Sequence, residues 1–242
     1  MGVASLDRLQ AQSLQKASVE RSMGLAYPRN SSDTATKVAW RSAACFWLCT
    51  AILYGCSGRP SRVEPPKLNP DAAAADALAS FDSNRDGHLD SEELRACPGL
   101  KAGAGAVDTD RDGNLSAKEI ADRIQQWSEN KVALVAVNCS VVKNGRPLSG
   151  ATVTFVPEKF LGPNIKPASG VSDSTGRVEL AVSGVPVTAL AHCGFYRVEI
   201  SQKDGEKEMI PTKFNRDTVL GEEIAEGDKK RLEGYVFDVS AR

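Results

Sequence analysis

Two twelve-residue stretches repeat one pattern. The first runs Asp82-Ser83-Asn84-Arg85-Asp86-Gly87-His88-Leu89-Asp90-Ser91-Glu92-Glu93, the second Asp108-Thr109-Asp110-Arg111-Asp112-Gly113-Asn114-Leu115-Ser116-Ala117-Lys118-Glu119. Oxygen-bearing side chains stand at positions 1, 3 and 5, glycine at 6 and glutamate at 12. A hard cation such as calcium takes about six to eight oxygen ligands. Short side chains on alternating residues of a tight turn can converge on such an ion, and a glycine without Cβ permits the bend. The pattern predicts two calcium loops and two bound ions. In the first, the ligands are Asp82, Asn84, Asp86, Asp90 and the main-chain carbonyl of His88. In the second they are Asp108, Asp110, Asp112, Ser116 and the carbonyl of Asn114. Glu93 and Glu119 close the two sites as bidentate carboxylates.

These runs resemble the loops of EF-hand proteins. The resemblance implies that Leu89 and Leu115, both at position 8, face each other across a short two-stranded bridge. Fourteen residues separate Glu93 from Asp108, too few for a full exit helix, a linker and a full entry helix at about 1.5 Å per residue. Cys97-Pro98-Gly99 stops the first exit helix early, and Gly103 and Gly105 weaken the second entry helix. A compact, partly degenerate helical pair over residues 72–130 is expected. A dockerin-like module, which packs two such loops with little entry helix, is the alternative. Flanking the loops, Ala72 to Phe81 is rich in alanine and reads as a helix whose Leu78 and Phe81 pack on the second hand. Ile120, Ile124 and Trp127 recur on one helical face, with Trp127 in the core.

From Asp71 to Arg123 there are twelve acids against six bases, whereas the whole chain carries a net charge of −1. The local acidity suits metal ligation. The overall balance and the 6% aromatic content give no basis for nucleic-acid binding.

The chain begins with a polar, Ser- and Ala-rich segment, and Met23 is an alternative start to Met1. Lys37 and Arg41 then precede thirteen apolar or small residues, Ala43 to Gly55. That is the layout of a secretory signal and too short for a spanning helix of about twenty residues. The run ends Leu53-Tyr54-Gly55-Cys56, which resembles the lipobox of bacterial lipoproteins. Tyr54 stands where that pattern has a small residue. The resemblance implies cleavage before Cys56, acylation of its thiol, and anchorage to a lipid bilayer on the extracytoplasmic side of a bacterial cell envelope. An ordinary signal peptide is the alternative. Residues 1–55 would then be leader and extension, and 56–71 a flexible, proline-stiffened tether.

Near Val132 the hydrophobic period changes from 3.6 to 2. Val135, Val137, Cys139 and Val141 alternate with polar or small residues, as in a half-buried strand. Asn144-Gly145 marks a hairpin. Further strands are expected at Ala151–Val156, around the turn Asp173–Gly176, at Phe195–Ile200 and between Leu232 and Val239. Short strands at this spacing suggest an antiparallel sandwich over residues 131–242 that folds independently of the helical pair. Asn144-Gly-Arg-Pro-Leu-Ser-Gly-Ala-Thr-Val-Thr-Phe155-Val-Pro157, Gly170 to Leu180 and Gly194 to Ile200 resemble carboxypeptidase-regulatory-like, or transthyretin-like, domains. Ile210-Pro-Thr-Lys-Phe214, Thr218-Val-Leu220 and Phe237-Asp-Val239 are similar to the ending of secreted bacterial versions, so the resemblance covers about 110 residues and implies a seven-stranded Greek-key, prealbumin-like sandwich. The expected fold class is therefore α+β with several domains.

Of the six cysteines, Cys45 and Cys49 fall in the leader and Cys56 at the lipid site. Cys139 and Cys193 lie in strand-like segments and can pair in an oxidising compartment; Cys97 has no evident partner. Two histidines in the chain exclude a multi-histidine metal site. Three functions remain open. The first is a non-enzymatic, calcium-binding, membrane-anchored lipoprotein that displays the sandwich to a protein partner. The second is a transthyretin-like enzyme or accessory domain, whose family's paired His and Arg this chain lacks. The third is a calcium sensor, against which the absence of Met from the helical pair counts.

Overall fold

The computed structural model describes residues 63–240. The leader, the alternative start at Met23 and the lipobox cysteine Cys56 lie outside the described residues. The described residues belong to one compact unit.

Among the described residues, four helices and fifteen strands succeed one another in chain order. Helix α1 (Pro70–Phe81) begins with Pro at its first position and Asn69 as cap, whose Oδ1 accepts from Ala72 N–H at 3.2 Å. Strand β1 (His88–Leu89) and strand β2 (Leu115–Ser116) form the predicted bridge, with Leu89 opposite Leu115 and both buried. The exit from the first loop is a four-residue 3-10 turn, Glu93–Ala96. Pro98 then opens helix α2 (Pro98–Val107), because a missing N–H costs nothing at a helix's first position. Helix α3 (Ala117–Glu129) leaves the second loop under a capping box in which Ser116 and Glu119 satisfy each other's main-chain N–H.

The β region comprises β3 (Val135–Ala136), β4 (Cys139–Lys143), β5 (Arg146–Pro147), β6 (Thr152–Pro157), β7 (Ala168–Val171), β8 (Arg177–Val178), β9 (Ala181–Val182), β10 (Leu190–Ala191), β11 (Gly194–Ser201), β12 (Lys203–Asp204), β13 (Lys207–Glu208) and β14 (Gly221–Ile224). Helix α4 (Lys229–Glu233) and β15 (Tyr235–Asp238) end it. The main sheet has the order β14-β11-β6-β7-β9; a second has the order β15-β4-β5, with β8 also on β4. Asn144 and Gly145, both at positive φ, turn β4 into β5 as expected. The two sheets meet through aromatic side chains: the Phe155 ring lies 5.8 Å from Tyr196 and 5.9 Å from Phe237.

The α+β class is present, and most strand pairs are antiparallel. The expectation of a purely antiparallel region fails at β15, which pairs with β4 in parallel, Tyr235 opposite Cys139 through Asp238 opposite Val142. Parallel neighbours need a crossover rather than a hairpin. Here the chain reaches β15 by way of α4, which the charged run Asp228-Lys-Lys-Arg does not advertise.

The helices lie on the main sheet. Successive residues of a strand face opposite sides, and β11 uses both. Tyr196 points into the space between the sheets, while Phe195 points at the helices, its ring 4.8 Å from Trp127. Trp127 is in the core, as its position on α3 implied. Phe81 turns to Phe160 of the β region, ring centres 6.4 Å apart. Helix α2 runs against β11 and β14, and backbones touch where it starts. A Cβ on Gly99 would sit 2.6 Å from Tyr196 N, and one on Gly221 would overlap the Pro98 carbonyl. Gly103, read from sequence as a helix weakener, is where α2 makes room for Phe195.

The disulfide between Cys139 and Cys193 is not formed. Both are buried free thiols. Cys139 belongs to β4 of the smaller sheet, with its Sγ 3.8 Å from the Val178 carbonyl. Cys193 precedes β11 in the main sheet. Residues on different sheets of a layered fold need matched Cα separations and Cβ directions to be bridged, and strand alternation alone does not provide them.

Candidate metal centre

The two loops share one backbone. Position 4 takes a left-handed conformation in both, Arg85 at φ 61° and Arg111 at φ 63°, and the glycines at position 6 stand at 86° and 88°. The aspartate at position 1 accepts from the glycine N–H in each: Gly87 to Asp82 Oδ2 at 3.0 Å and Gly113 to Asp108 Oδ2 at 3.1 Å. Position 5 caps the next turn, with His88 N–H on Asp86 Oδ1 at 2.9 Å and Asn114 N–H on Asp112 Oδ1 at 2.7 Å. These bonds pull the carboxylates inward along the turn.

The glutamate at position 12 is fastened the same way twice. Glu93 Oε1 accepts from Ser83 N–H at 2.8 Å and Asn84 N–H at 3.2 Å, and Oε2 from Asp90 N–H at 3.1 Å. Glu119 Oε1 accepts from Thr109 N–H at 2.9 Å, and Oε2 from Ser116 N–H at 3.0 Å and the Ser116 hydroxyl at 2.9 Å. The Asp90 N–H bond, ahead of those from Ser83 and Asn84, holds the Glu93 carboxyl below its ordinary value. Burial pushes Glu119 up, but the bonds from Ser116, Thr109 and Asp110 outweigh it and bring the carboxyl to about 2. Both glutamates are therefore anionic at neutral pH. Each ties the start of its loop to the end.

The loops differ in acid placement, Asn84 against Asp110 at position 3 and Asp90 against Ser116 at position 9, and in the bonds made at position 1. In the second, Asp108, Asp110 and Asp112 bring one carboxylate oxygen each to within 4.8 Å of one another. Asp108 Oδ1 is buried and has no hydrogen-bond partner among the described residues. Buried polar atoms in native proteins are almost always partnered, and a carboxylate oxygen left this way beside two more carboxylates suits a cation. The donor set is all oxygen, which fits calcium rather than a softer metal. In the first loop Arg85 N–H occupies the matching oxygen of Asp82 at 2.6 Å, and the Asn84 amide donates to Asp86 Oδ2 at 2.9 Å. An amide thus relieves the charge that Asp110 contributes in the second loop.

Glu93 opens the 3-10 turn after the first loop, and in the second Ser116 lies in β2 and Glu119 in the first turn of α3. Two residues that hold the hands in place were not anticipated. Glu158, just past the end of β6, accepts from Gly99 N–H at 3.0 Å. Glu223, on β14, pairs with Arg123 of α3 at 2.6 Å, both side chains largely buried. Burial raises both carboxyls, against the opposing Gly99 hydrogen bond in one case and Arg123 in the other. His192 sits deep in the fold with Nδ1 2.6 Å from the Ala133 carbonyl. Among the described residues no helix is long and apolar enough to cross a membrane.

A family model described as EF hand matches residues 74–98, the segment from α1 through the first loop to the start of α2. No curated protein and no solved structure gives a match. An EF hand is thus present in the helical part of the chain, and it suggests calcium binding.

Proposed function

We propose that the chain binds two calcium ions in its paired loops and is a non-enzymatic lipoprotein of the bacterial cell envelope. The observation that carries the calcium reading is the second loop, where Asp108 has a buried, partnerless oxygen and its carboxylate clusters with those of Asp110 and Asp112. Asp82, Asn84, Asp86, Asp90 and Glu93 would hold one ion, with the His88 carbonyl. Asp108, Asp110, Asp112, Ser116 and Glu119 would hold the other, with the Asn114 carbonyl. Calcium supplies charge neutralisation in each turn, and the chain's own residues position the carboxylates. Extracytoplasmic sites of about 10⁻⁴–10⁻³ M suffice where calcium is abundant. At 100-fold excess over its dissociation constant, one ion adds about 2.7 kcal/mol to stability.

The remainder of the reading rests on sequence. Leu53-Tyr-Gly-Cys56 supports acylation at Cys56 and a bilayer partner. The resemblance of residues 144–200 supports a seven-stranded transthyretin-like sandwich that meets a protein partner. The structural role assigned to calcium, in place of a sensor's, is supported by the docking of both hands on the sheet. Calorimetric titration of the full-length chain should show two ions bound per chain and raised thermal stability. No binding at millimolar calcium would overturn the calcium reading. Mass spectrometry of membrane-extracted protein should find an acylated N-terminus at Cys56; soluble protein that retains Trp47 would overturn the anchor.

A further inference from the structure

A cleft of about 360 Å³ lies between the first hand and the main sheet, within the size range of small-molecule sites. Two walls belong to the hand. Ser80 and Phe81 end α1 immediately before Asp82, the first residue of the loop. Ala96 ends the 3-10 turn that begins with Glu93, the last residue of the loop. The sheet side supplies Glu158, Phe160 and Arg197.

The chemistry of the lining is selective. Phe81 and Phe160 meet edge to face and offer aromatic surface to a flat apolar group. Arg197 stands on β11 two residues from Phe195, on the helix-facing side. Among the described residues its ion pair is with Glu199, at 3.7 Å, beyond hydrogen-bond reach. A guanidinium presents a planar fork of donors that matches a carboxylate; this one also acts through space on Glu158 in the same lining. Lys159 adds a second positive charge to the lining. Glu158, the one acid there, accepts the Gly99 N–H. Burial raises its carboxyl against the pull of Arg197 and Lys159, which leaves less negative charge to oppose a carboxylate ligand.

We propose that this cleft binds a small carboxylate carried on an apolar, preferably aromatic, body, and that calcium in the first loop tightens its grip. The carboxylate meets the Arg197 guanidinium and the body lies against Phe81 and Phe160. The link to calcium, which rests on the calcium reading of the first loop, is positional. Phe81 and Ala96 flank that loop, one before its first ligand and one after its last, so an ion that fixes the loop ends fixes the spacing of the two walls. Coupling of this kind is reciprocal.

The test is calorimetric titration of the full-length chain with phenylacetate, in millimolar calcium and in chelator, with phenethylamine as the oppositely charged control. Phenylacetate should bind, at least about fivefold tighter with calcium, and phenethylamine should not. Saturating phenylacetate should tighten one calcium site by the same factor. Arg197→Gln should weaken phenylacetate at least about tenfold, with circular dichroism unchanged, and Ala96→Trp at the exposed mouth should block it. Absence of phenylacetate binding at millimolar concentration, or equal binding of phenethylamine, overturns the ligand class. Equal phenylacetate affinity with and without calcium, in a chain that binds calcium, overturns the coupling. Failure of calcium itself to bind refutes the earlier reading instead, and the chelator arm then still decides the carboxylate.

Discussion

The two hands have nearly the same loop and are docked by different means. The first reaches the β region through Phe81 on Phe160 and, where its exit passes into α2, through backbone: Pro98 and Gly99 lie flush on Gly221 and Tyr196, and Glu158 takes the Gly99 N–H. The second reaches it through side chains, with Arg123 on Glu223 and Trp127 on Phe195. Their exits differ accordingly, a four-residue 3-10 turn against a thirteen-residue helix. A loop's conformation is set by its own dozen residues, because its hydrogen bonds close within it. The direction in which the chain leaves is set by the surface it meets next.

That contrast can be broken most forcefully at the second hand. Arg123→Met leaves Glu223 buried without its partner, and removal of one member of a buried pair costs about 3–5 kcal/mol. Urea denaturation should show a loss of this size, and the double change Arg123→Met with Glu223→Leu should restore most of it. A loss under about 1 kcal/mol would mean that the pair behaves as a surface bridge.

Asp108→Asn comes next. It removes charge from the carboxylate that has the partnerless oxygen, and the affinity of the second loop should fall by about 100-fold. Calorimetry should then count one ion in place of two. Two unchanged sites would show that the three-carboxylate cluster is not the ligand set.

At the first hand, Gly99→Ala should cost about 1–3 kcal/mol through the forced retreat of α2 from Tyr196. Helix α2 runs directly into Asp108, so calcium affinity should drop in both loops. Unchanged affinity in both would show that the Leu89–Leu115 bridge, and not the backbone junction, governs the pair. Asn84→Asp tests the loops' difference in charge at position 3. It gives the first loop five carboxylates at ligand positions against four in the second, and should strengthen the first site by about tenfold.

The smallest effect concerns pH. Burial raises the Glu158 carboxyl above its ordinary 4.5. The folded chain therefore holds that proton to higher pH than the unfolded chain does. Stability is greatest at low pH for this group and declines as pH climbs from 4.5 through the raised folded value. Glu158→Gln should flatten that part of the stability profile; a steeper slope in the variant would reverse the assignment. Glu223 shifts in the same direction, so the wild-type slope is shared between both docking points.

How much was legible depends on where each interaction closes. The loop turns, the Leu89–Leu115 bridge, the early end of the first exit turn, the Asn144-Gly145 hairpin and the burial of Trp127 all depend on residues close in sequence or on a strict period. Arg123 and Glu223 are a hundred residues apart, and nothing in either neighbourhood names the other. Strand β14 opens Gly-Glu-Glu and lacks alternation, since one of its acids is buried against a helix and not turned to water. The Cys139–Cys193 pairing failed for the same reason: strand character gives the face of a residue but not its sheet.

By itself the sequence determined the two loops, because twelve consecutive residues contain both the oxygen-bearing side chains and the turn that gathers them. It also determined that a β region comes after the helical pair, because a period of two is a local property. Only the tertiary structure decided that β15 returns parallel to β4, that α2 lies backbone to backbone on the sheet, and that a cleft opens beside the first loop. Each of these depends on which distant surfaces fit together, and packing free energy, unlike hydrogen bonding within a turn, is a property of pairs that the order of residues does not bring together.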